Sequence, residues 1–155
     1  MGGDTRRKGN PFWELDALRK SLPSIKAPEN WQPLSYFIKI SDRILLQKTC
    51  GKFPGGKTSE SLSESANHPI FMLKREGNFS YRFCPCSSKN FKGYSQIPEG
   101  SRLAPDGKIF QPSGYICHQY LINLPPQNDI VRQENFFGIV RESDIVGDQY
   151  KEGMQ

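Results

Sequence analysis

The sequence predicts a mostly β protein, a small and strongly bent barrel preceded by one amphipathic helix. The chain has 155 residues, enough for one core, and is rich in glycine and proline, with 14 and 12 of them. Its apolar residues form several short runs separated by turn residues, as in small barrels. An aromatic share of 12% within a hydrophobic share of 35% indicates a core built largely from Phe and Tyr.

The clearest strand pair is a hairpin whose turn contains Gly77. Residues 69–74 begin with proline and continue as an apolar run, and residues 79–84 alternate as a returning strand. Glycine tolerates the positive φ that such a turn requires. The two segments are therefore expected to pair antiparallel, which brings His68 and Ser87 to one rim of the sheet.

The first third of the chain is predicted to lie outside the barrel. Residues 1–9 are polar and glycine-rich and are expected to be a disordered tail. Asn10 is a suitable N-cap for a helix that runs to Leu22 with its leucines on one face. Together with a proline-rich linker, this helix is predicted to occupy residues 10–35.

The barrel domain is predicted at residues 36–146, with residues 147–155 as a tail. Besides the hairpin, strands are expected at residues 36–40, 43–47, 115–122 and 136–141. Residues 50–67 are rich in glycine, serine and lysine without any period, which predicts a long mobile loop over the rim. Residues 141–146 are expected to begin a helical turn capped by Ser143.

The net charge of +5 is unevenly distributed. Residues 1–50 and 51–108 each carry nine basic and five acidic side chains, whereas residues 109–155 carry three and six. An excess of this kind suits a polyanionic partner, although a solvated basic surface has the same composition. No apolar run is as long as a membrane span. The four cysteines do not show the spacing of a disulfide framework such as secreted proteins have. We therefore expect a cytoplasmic protein that does not enter a membrane.

Basic and aromatic residues alternate along the hairpin and the loops beside it. Such a mixture is typical of surfaces on which single-stranded RNA binds, because lysines meet phosphates and bases stack on rings. A charged sheet face has the same composition, so both interpretations stay open. The predicted RNA-binding residues are Lys52, Lys57, Lys74, Arg82, Lys89, Lys92 and Tyr94.

The cysteines and histidines do not follow a metal-binding pattern. Cys84 and Cys86 are too closely spaced for a Cys-x-x-Cys pair. The adjacent Cys117 and His118 would point to opposite faces of a strand. The sequence therefore predicts neither a metal site nor a cofactor.

The order of its segments makes the chain resemble a known family. DRILLQK, HPIFMLK, RFCPCSSK followed by KGY, GYICHQYLINLP and FFGIVRESDI resemble the PemK/MazF toxin domain over residues 41–146. The resemblance implies an SH3-like barrel that forms a two-fold homodimer. It also implies cleavage of single-stranded RNA without a metal and inhibition by an antitoxin protein.

The resemblance implies three catalytic candidates, His68, Ser87 and His118. His68 stands where the family has an arginine, Ser87 at the hydroxyl position after Cys-Pro, and His118 with Gln119 at the family's Asp-Gln pair. Histidine exchanges protons near neutral pH, so two histidines suit acid–base catalysis. The exchanged arginine and aspartate leave a second hypothesis open, a noncatalytic SH3-like barrel that binds a protein partner or nucleic acid.

Each candidate also has a purely structural interpretation. His68 precedes a proline at a strand entry, where a turn histidine bonded to the backbone is common. His118 lies within an apolar run and is equally typical of a core histidine. Ser87 is suited to capping the turn that follows its strand.

Overall fold

The structure is a computed structural model that describes residues 31–77, 79–89, 93–111, 114–125 and 131–155. The predicted disordered tail, the N-terminal helix and Lys92 lie outside the described residues. Within them, the protein is mostly β, as the sequence predicts. No described helix has the length and apolar character needed to cross a membrane.

Seven strands form one strongly curled antiparallel sheet, a half-barrel. In chain order the strands are β1 (Ser35–Ser41), β2 (Asn67–Glu76), β3 (Ser80–Ser87), β4 (Ser95–Ile97), β5 (Arg102–Leu103), β6 (Lys108–Ile109), β7 (Gly114–Ile116), β8 (Ile122–Leu124) and β9 (Phe136–Ile139). The order across the sheet is β9-β1-β2-β3-β7-β4, with β8 also beside β3, while β5 and β6 pair as a separate ribbon. The bent sheet expected from the sequence is confirmed.

In the part of the chain that the structure describes, four helical segments accompany the strands. They are α1 (Asp42–Lys48) and the 3-10 helices Gln133–Asn135, Glu142–Asp144 and Gln149–Met154. The helical turn predicted after Arg141 is confirmed, but its predicted cap is wrong. Ser143 lies inside the turn, and Arg141 occupies the cap position without a side-chain hydrogen bond.

The predicted hairpin is confirmed as the pair β2–β3. Phe71 lies opposite Cys84 and Met72 opposite Phe83, and a register shift follows before the turn at Gly77. Gly77 has φ +64°, a conformation that favours glycine. The longest strands of the protein therefore form the centre of its sheet.

The sheet is covered on both faces, which explains why the first strand of the hairpin is continuously apolar. Ile70 and Met72 belong to one buried cluster, whereas Phe71 and Leu73 belong to another on the opposite face. Aromatic rings fill both clusters, as expected. Ring pairs such as Phe37–Phe83, with centroids 5.8 Å apart, pack edge to face.

The prediction of a strand at residues 43–47 is wrong, because these residues form α1. Ser41 caps the helix by accepting a hydrogen bond from the Arg43 N–H at 3.3 Å. The acidic Asp42 lies in its first turn and the basic Lys48 in its last, as the helix dipole favours. The apolar residues of this short run are compatible with the hydrophobic period of a helix and with that of a strand, and the cap at Ser41 favours the helix.

The predicted strand at residues 115–122 is interrupted. Its parts are β7 and β8, which pair with successive halves of β3. Residues 117–121 between them lie outside these strands, although the Cys117 N–H still donates to the Pro85 carbonyl at 3.0 Å. Two turn bonds stabilise this excursion, one from the His118 N–H to the Ile116 carbonyl and one from the Tyr120 N–H to the Cys117 carbonyl. We call residues 117–121 the excursion below.

The last residues pack against the hairpin. Tyr150 is buried, and the space beside Gly153 is filled by Leu73 and His118. Arg82 donates hydrogen bonds to the carbonyls of Gly153 and Gln155, at 2.9 and 2.7 Å, and pairs with a carboxylate of β2. Residues 149–154 are thus part of the folded unit.

Thiol accessibility tests the packing of the cores. Cys84, Cys86 and Cys117 are buried, whereas Cys50 is exposed. Burial raises the pKa of Cys84 and Cys86 well above the usual range and that of Cys117 to about 12. A thiol-specific reagent at pH 8 should therefore modify one cysteine of the native protein rapidly and all four after denaturation. The Cys50→Ser variant is the control, and a rapidly reacting thiol in it would contradict the described core.

The same burial predicts loss of stability in alkali. A thiol whose pKa is raised in the folded state stabilises the fold fully below its unfolded pKa, near 9, and loses this contribution as pH rises through the folded pKa. Between pH 9 and 11, unfolding free energies from urea titrations should fall less steeply for Cys117→Ala than for the wild type. The expected difference is about 1.4 kcal/mol per pH unit. Equal slopes would show that Cys117 titrates alike in both states.

Candidate active site

The most defined polar arrangement of the rim is the pair of His68 and Asp42. His68 Nδ1 lies 2.7 Å from Asp42 Oδ1. The Asp42 side chain is 5% exposed, while the His68 side chain keeps 28% of its surface in solvent. A carboxylate only accepts, so Nδ1 carries the hydrogen of the neutral ring and Nε2 is left to exchange a proton.

Strand pairing and α1 together create this pair. Ile40 lies opposite His68 in the β1–β2 ladder, and α1 begins just after β1 ends. The register of β1 shifts between Phe37 and Ile40, and Lys39 within this irregularity has φ +63°. A bulge of this kind re-aims the strand. As a result, Asp42, the first residue of α1, lies beside His68, the second residue of β2.

An aromatic wall continues from His68. The ring of Phe53 lies edge-on to His68, with centroids 5.0 Å apart, and 5.5 Å from the ring of Tyr120 in the excursion. Phe53 is buried and its N–H donates to Thr49 Oγ1 at 2.9 Å, while that hydroxyl donates to the Leu45 carbonyl at 2.8 Å. The loop at residues 50–67 is therefore anchored against the rim at Phe53.

A pocket of about 260 Å³ opens beyond this wall. It is lined by residues 48–50, Lys52 and residues 119–121. Lys48 and Lys52 are exposed cations at its edge. Gln119 Oε1 accepts a hydrogen bond from the Tyr94 hydroxyl at 3.2 Å. Burial raises the pKa of Tyr94 to about 12, so this phenol keeps its proton at neutral pH.

Ser87 lies two residues beyond the last pair of the β2–β3 ladder, Ile70 with Pro85. There the two strands have different partners, since His68 pairs with β1 and Ser87 with β7. The placement of His68 and Ser87 at one rim stays a prediction. The Ser87 hydroxyl is buried and accepts a hydrogen bond from the Lys89 N–H at 3.2 Å. This geometry is that of a serine capping a turn.

His118 belongs to a different set of contacts from His68. It is buried, its Nε2 lies 3.2 Å from Glu152 Oε1, and its ring is edge-on to Tyr94 with centroids 5.2 Å apart. Its Nδ1 is buried with no hydrogen-bond partner among the described residues. The structure thus places His118, a residue of the excursion, against the C-terminal 3-10 helix.

The predicted RNA-binding residues divide into two groups. Lys52 lines the pocket, Tyr94 holds Gln119, and the exposed Lys89 follows β3 at the His68 rim, while Lys57 is exposed within the loop. Lys74 and Arg82 lie towards the other end of the hairpin. There both contact Glu76, at 3.9 and 2.8 Å. The cations closest to the pocket are therefore those of α1 and the loop after it.

Several site residues were not predicted. Asp42 lies 26 positions before His68 in the sequence, so no local pattern links the two. Its one local signal is the Ser-Asp pair before a run of helix-forming residues, which is typical of a helix start. Phe53 and Tyr120 read as ordinary apolar residues, and only the fold shows that they meet.

No protein-family model, curated protein or solved structure matches this chain. Among the residues that the structure describes, no three His, Cys, Asp or Glu side chains cluster as metal ligands would.

The tautomer of His68 tests the site geometry. Long-range ¹H–¹⁵N spectra of the wild type should show neutral His68 protonated at Nδ1, because Asp42 accepts there. Asp42→Ala removes the acceptor and should shift His68 towards the Nε2–H form, which free imidazole side chains favour. Asp42→Asn can present an amide N–H to Nδ1 and should shift the tautomer in the same direction as Asp42→Ala. An Nε2–H tautomer in the wild type would contradict the pair.

Proposed function

We propose that the protein is a metal-independent endoribonuclease that acts on single-stranded RNA at the His68 rim. The observation that carries the proposal is the His68–Asp42 pair, a part-exposed imidazole held by a buried carboxylate beside an aromatic wall and two lysines. An oriented imidazole with one nitrogen facing solvent is suited to proton transfer at neutral pH.

Cleavage of RNA without a metal begins with removal of the 2′-hydroxyl proton. The freed oxygen attacks the neighbouring phosphorus, the bond to the 5′-oxygen breaks, and that oxygen takes up a proton from solvent. His68 Nε2 is the group that accepts the first proton, and Asp42 supports the imidazolium that results. Negative charge on the phosphate grows during attack, so nearby cations lower the barrier.

The lysines at the pocket supply this charge in the proposal. Lys48 and Lys52 are exposed and line the pocket that Tyr120 shares with the aromatic wall. Arg82 is instead committed to Glu76 and to the carbonyls of the last residues. We therefore assign the contact with phosphate to Lys48 and Lys52, at and just after the end of α1, and not to Arg82 of the hairpin.

One observation favours a second candidate, an RNA-binding barrel without catalysis. His118, the second histidine, is buried against Glu152 and away from the rim. The two histidines therefore do not act together as acid and base in the two proton transfers. Binding alone needs only the lysines and the aromatic rings. The two candidates differ in whether RNA is cut.

The test is incubation of purified protein with a single-stranded RNA in chelator, followed by product analysis. The wild type should release fragments ending in 2′,3′-cyclic phosphate. His68→Gln should lower the rate by at least about 100-fold, since it removes the proton acceptor. The matched control is His118→Gln, which should change the rate by only a few-fold because His118 lies outside the rim.

Equal cleavage by wild type and His68→Gln would remove His68 from the mechanism. Intact RNA with salt-dependent binding would replace the endoribonuclease by the binding barrel, since phosphate contacts weaken as salt rises. Absence of both cleavage and binding would refute both candidates.

A further inference from the structure

We infer that the exposed face of α1 binds the sugar–phosphate backbone of single-stranded RNA, which lies along the helix from the His68 pair to the pocket. The inference rests on the proposed action on RNA and specifies how the substrate is held. We call this face, with the residue just before the helix, the α1 track; it consists of Lys39, Arg43, Gln47 and Lys48.

α1 connects the two parts of the candidate site. Its first residue, Asp42, is hydrogen-bonded to His68, and its last, Lys48, lines the pocket together with the two residues that follow the helix. Its 7 residues make a helix about 10 Å long. Each strand of a duplex carries a phosphate for about every 3.4 Å, so a similarly stacked single strand would place about two or three phosphates along α1.

The exposed face of this helix carries positive charge and no acid. The acidic residue of α1, Asp42, is buried, and its carboxylate faces the histidine. The exposed side chains of the helix are those of Arg43, Gln47 and Lys48. Arg43 and Gln47 are four positions apart and are therefore neighbours on the helix surface. A strand that follows this face meets cations at both ends of the helix and a polar amide between them.

The cations of the α1 track are not neutralised within the protein. In the part of the chain that the structure describes, no carboxylate lies within ion-pair distance of Lys39, Arg43 or Lys48. Arg43 makes one long contact, 3.5 Å from Nη2 to the Leu62 carbonyl, which leaves most of its five donor hydrogens to a ligand. Phosphates that replace the counterions of such groups bind with a salt-dependent affinity.

The hairpin provides the contrast. Lys74 lies 3.9 Å from Glu76, and the same carboxylate pairs with Arg82 at 2.8 Å. A cation that already faces a carboxylate releases fewer counterions when a phosphate approaches. Removal of one charge from the α1 track should therefore weaken RNA binding more than removal of one charge from the hairpin.

The test measures binding of a 2′-O-methyl oligonucleotide, which lacks the attacking hydroxyl, by fluorescence anisotropy at several salt concentrations. Each phosphate contact of a single strand contributes about 0.7 to the slope of log affinity against log salt concentration. Arg43→Gln should reduce the slope by about this amount and the affinity at about 0.1 M salt by about fivefold. Arg43→Lys keeps the charge and should retain the wild-type slope.

A variant that gains affinity excludes misfolding as the cause. Gln47→Lys adds a cation beside Arg43 on the exposed face of α1. It should steepen the slope by about 0.7 and strengthen binding by about fivefold at about 0.1 M salt. The matched controls are Lys74→Gln and, at the exposed residue that follows β6 by two positions, Gln111→Lys. They make the same changes of charge outside the α1 track and should leave the slope nearly unchanged.

Three results would overturn the inference. The first is an equal change of slope in Arg43→Gln and Lys74→Gln, and the second is absence of oligonucleotide binding. The third is binding of a poly-glutamate peptide as tightly as the oligonucleotide, which would assign the α1 track to an acidic protein.

The outcome is independent of catalysis. A slope that depends on Arg43 in a protein that cuts no RNA would support the α1 track and refute the endoribonuclease. RNA cleavage with a slope insensitive to Arg43 would do the reverse.

Discussion

The β2–β3 ladder is the constraint on which the rest of the structure depends. The side chains of residues 70–73 are buried on both faces of the sheet, so each neighbouring element has to cover one of the two faces. A one-residue slip would exchange the two faces and expose different apolar side chains to each core. The same register decides which polar residues gather at which end. His68 lies at the end of the hairpin away from the turn, and Arg82 stays near the turn.

The burial of Asp42 would serve the proposed proton transfer by His68. Removing a carboxylate from water costs free energy, which the hydrogen bond to His68 and the position of Asp42 in the first turn of α1 offset in part. An apolar residue in its place would pack at the start of α1 without that cost. The pair does orient His68 and support a positive charge on its ring, which are requirements of proton transfer and not of folding.

The hairpin could be predicted because its signals are local: an apolar run, a glycine turn and an alternating return. α1 was missed because its apolar residues suit either period and the deciding cap is a single serine, Ser41. The excursion was missed because its composition is as apolar as that of a strand, and only the sheet reveals where pairing stops. The hairpin pattern locates His68 at the entry of β2, but its partner Asp42 lies 26 positions away in the sequence, where no local pattern reveals it.

The excursion has a consequence for how the specificity of such a site can diverge. Residues 117–121 contribute Gln119 and Tyr120 to the pocket while standing outside the ladder that unites β3 with β7 and β8. Substitutions at these two positions therefore leave the interstrand hydrogen bonds intact. In the proposed function, the residues that would contact RNA and those that hold the sheet together lie in separate parts of one continuous segment, so selection or design could retune the ligand preference while the scaffold stays the same.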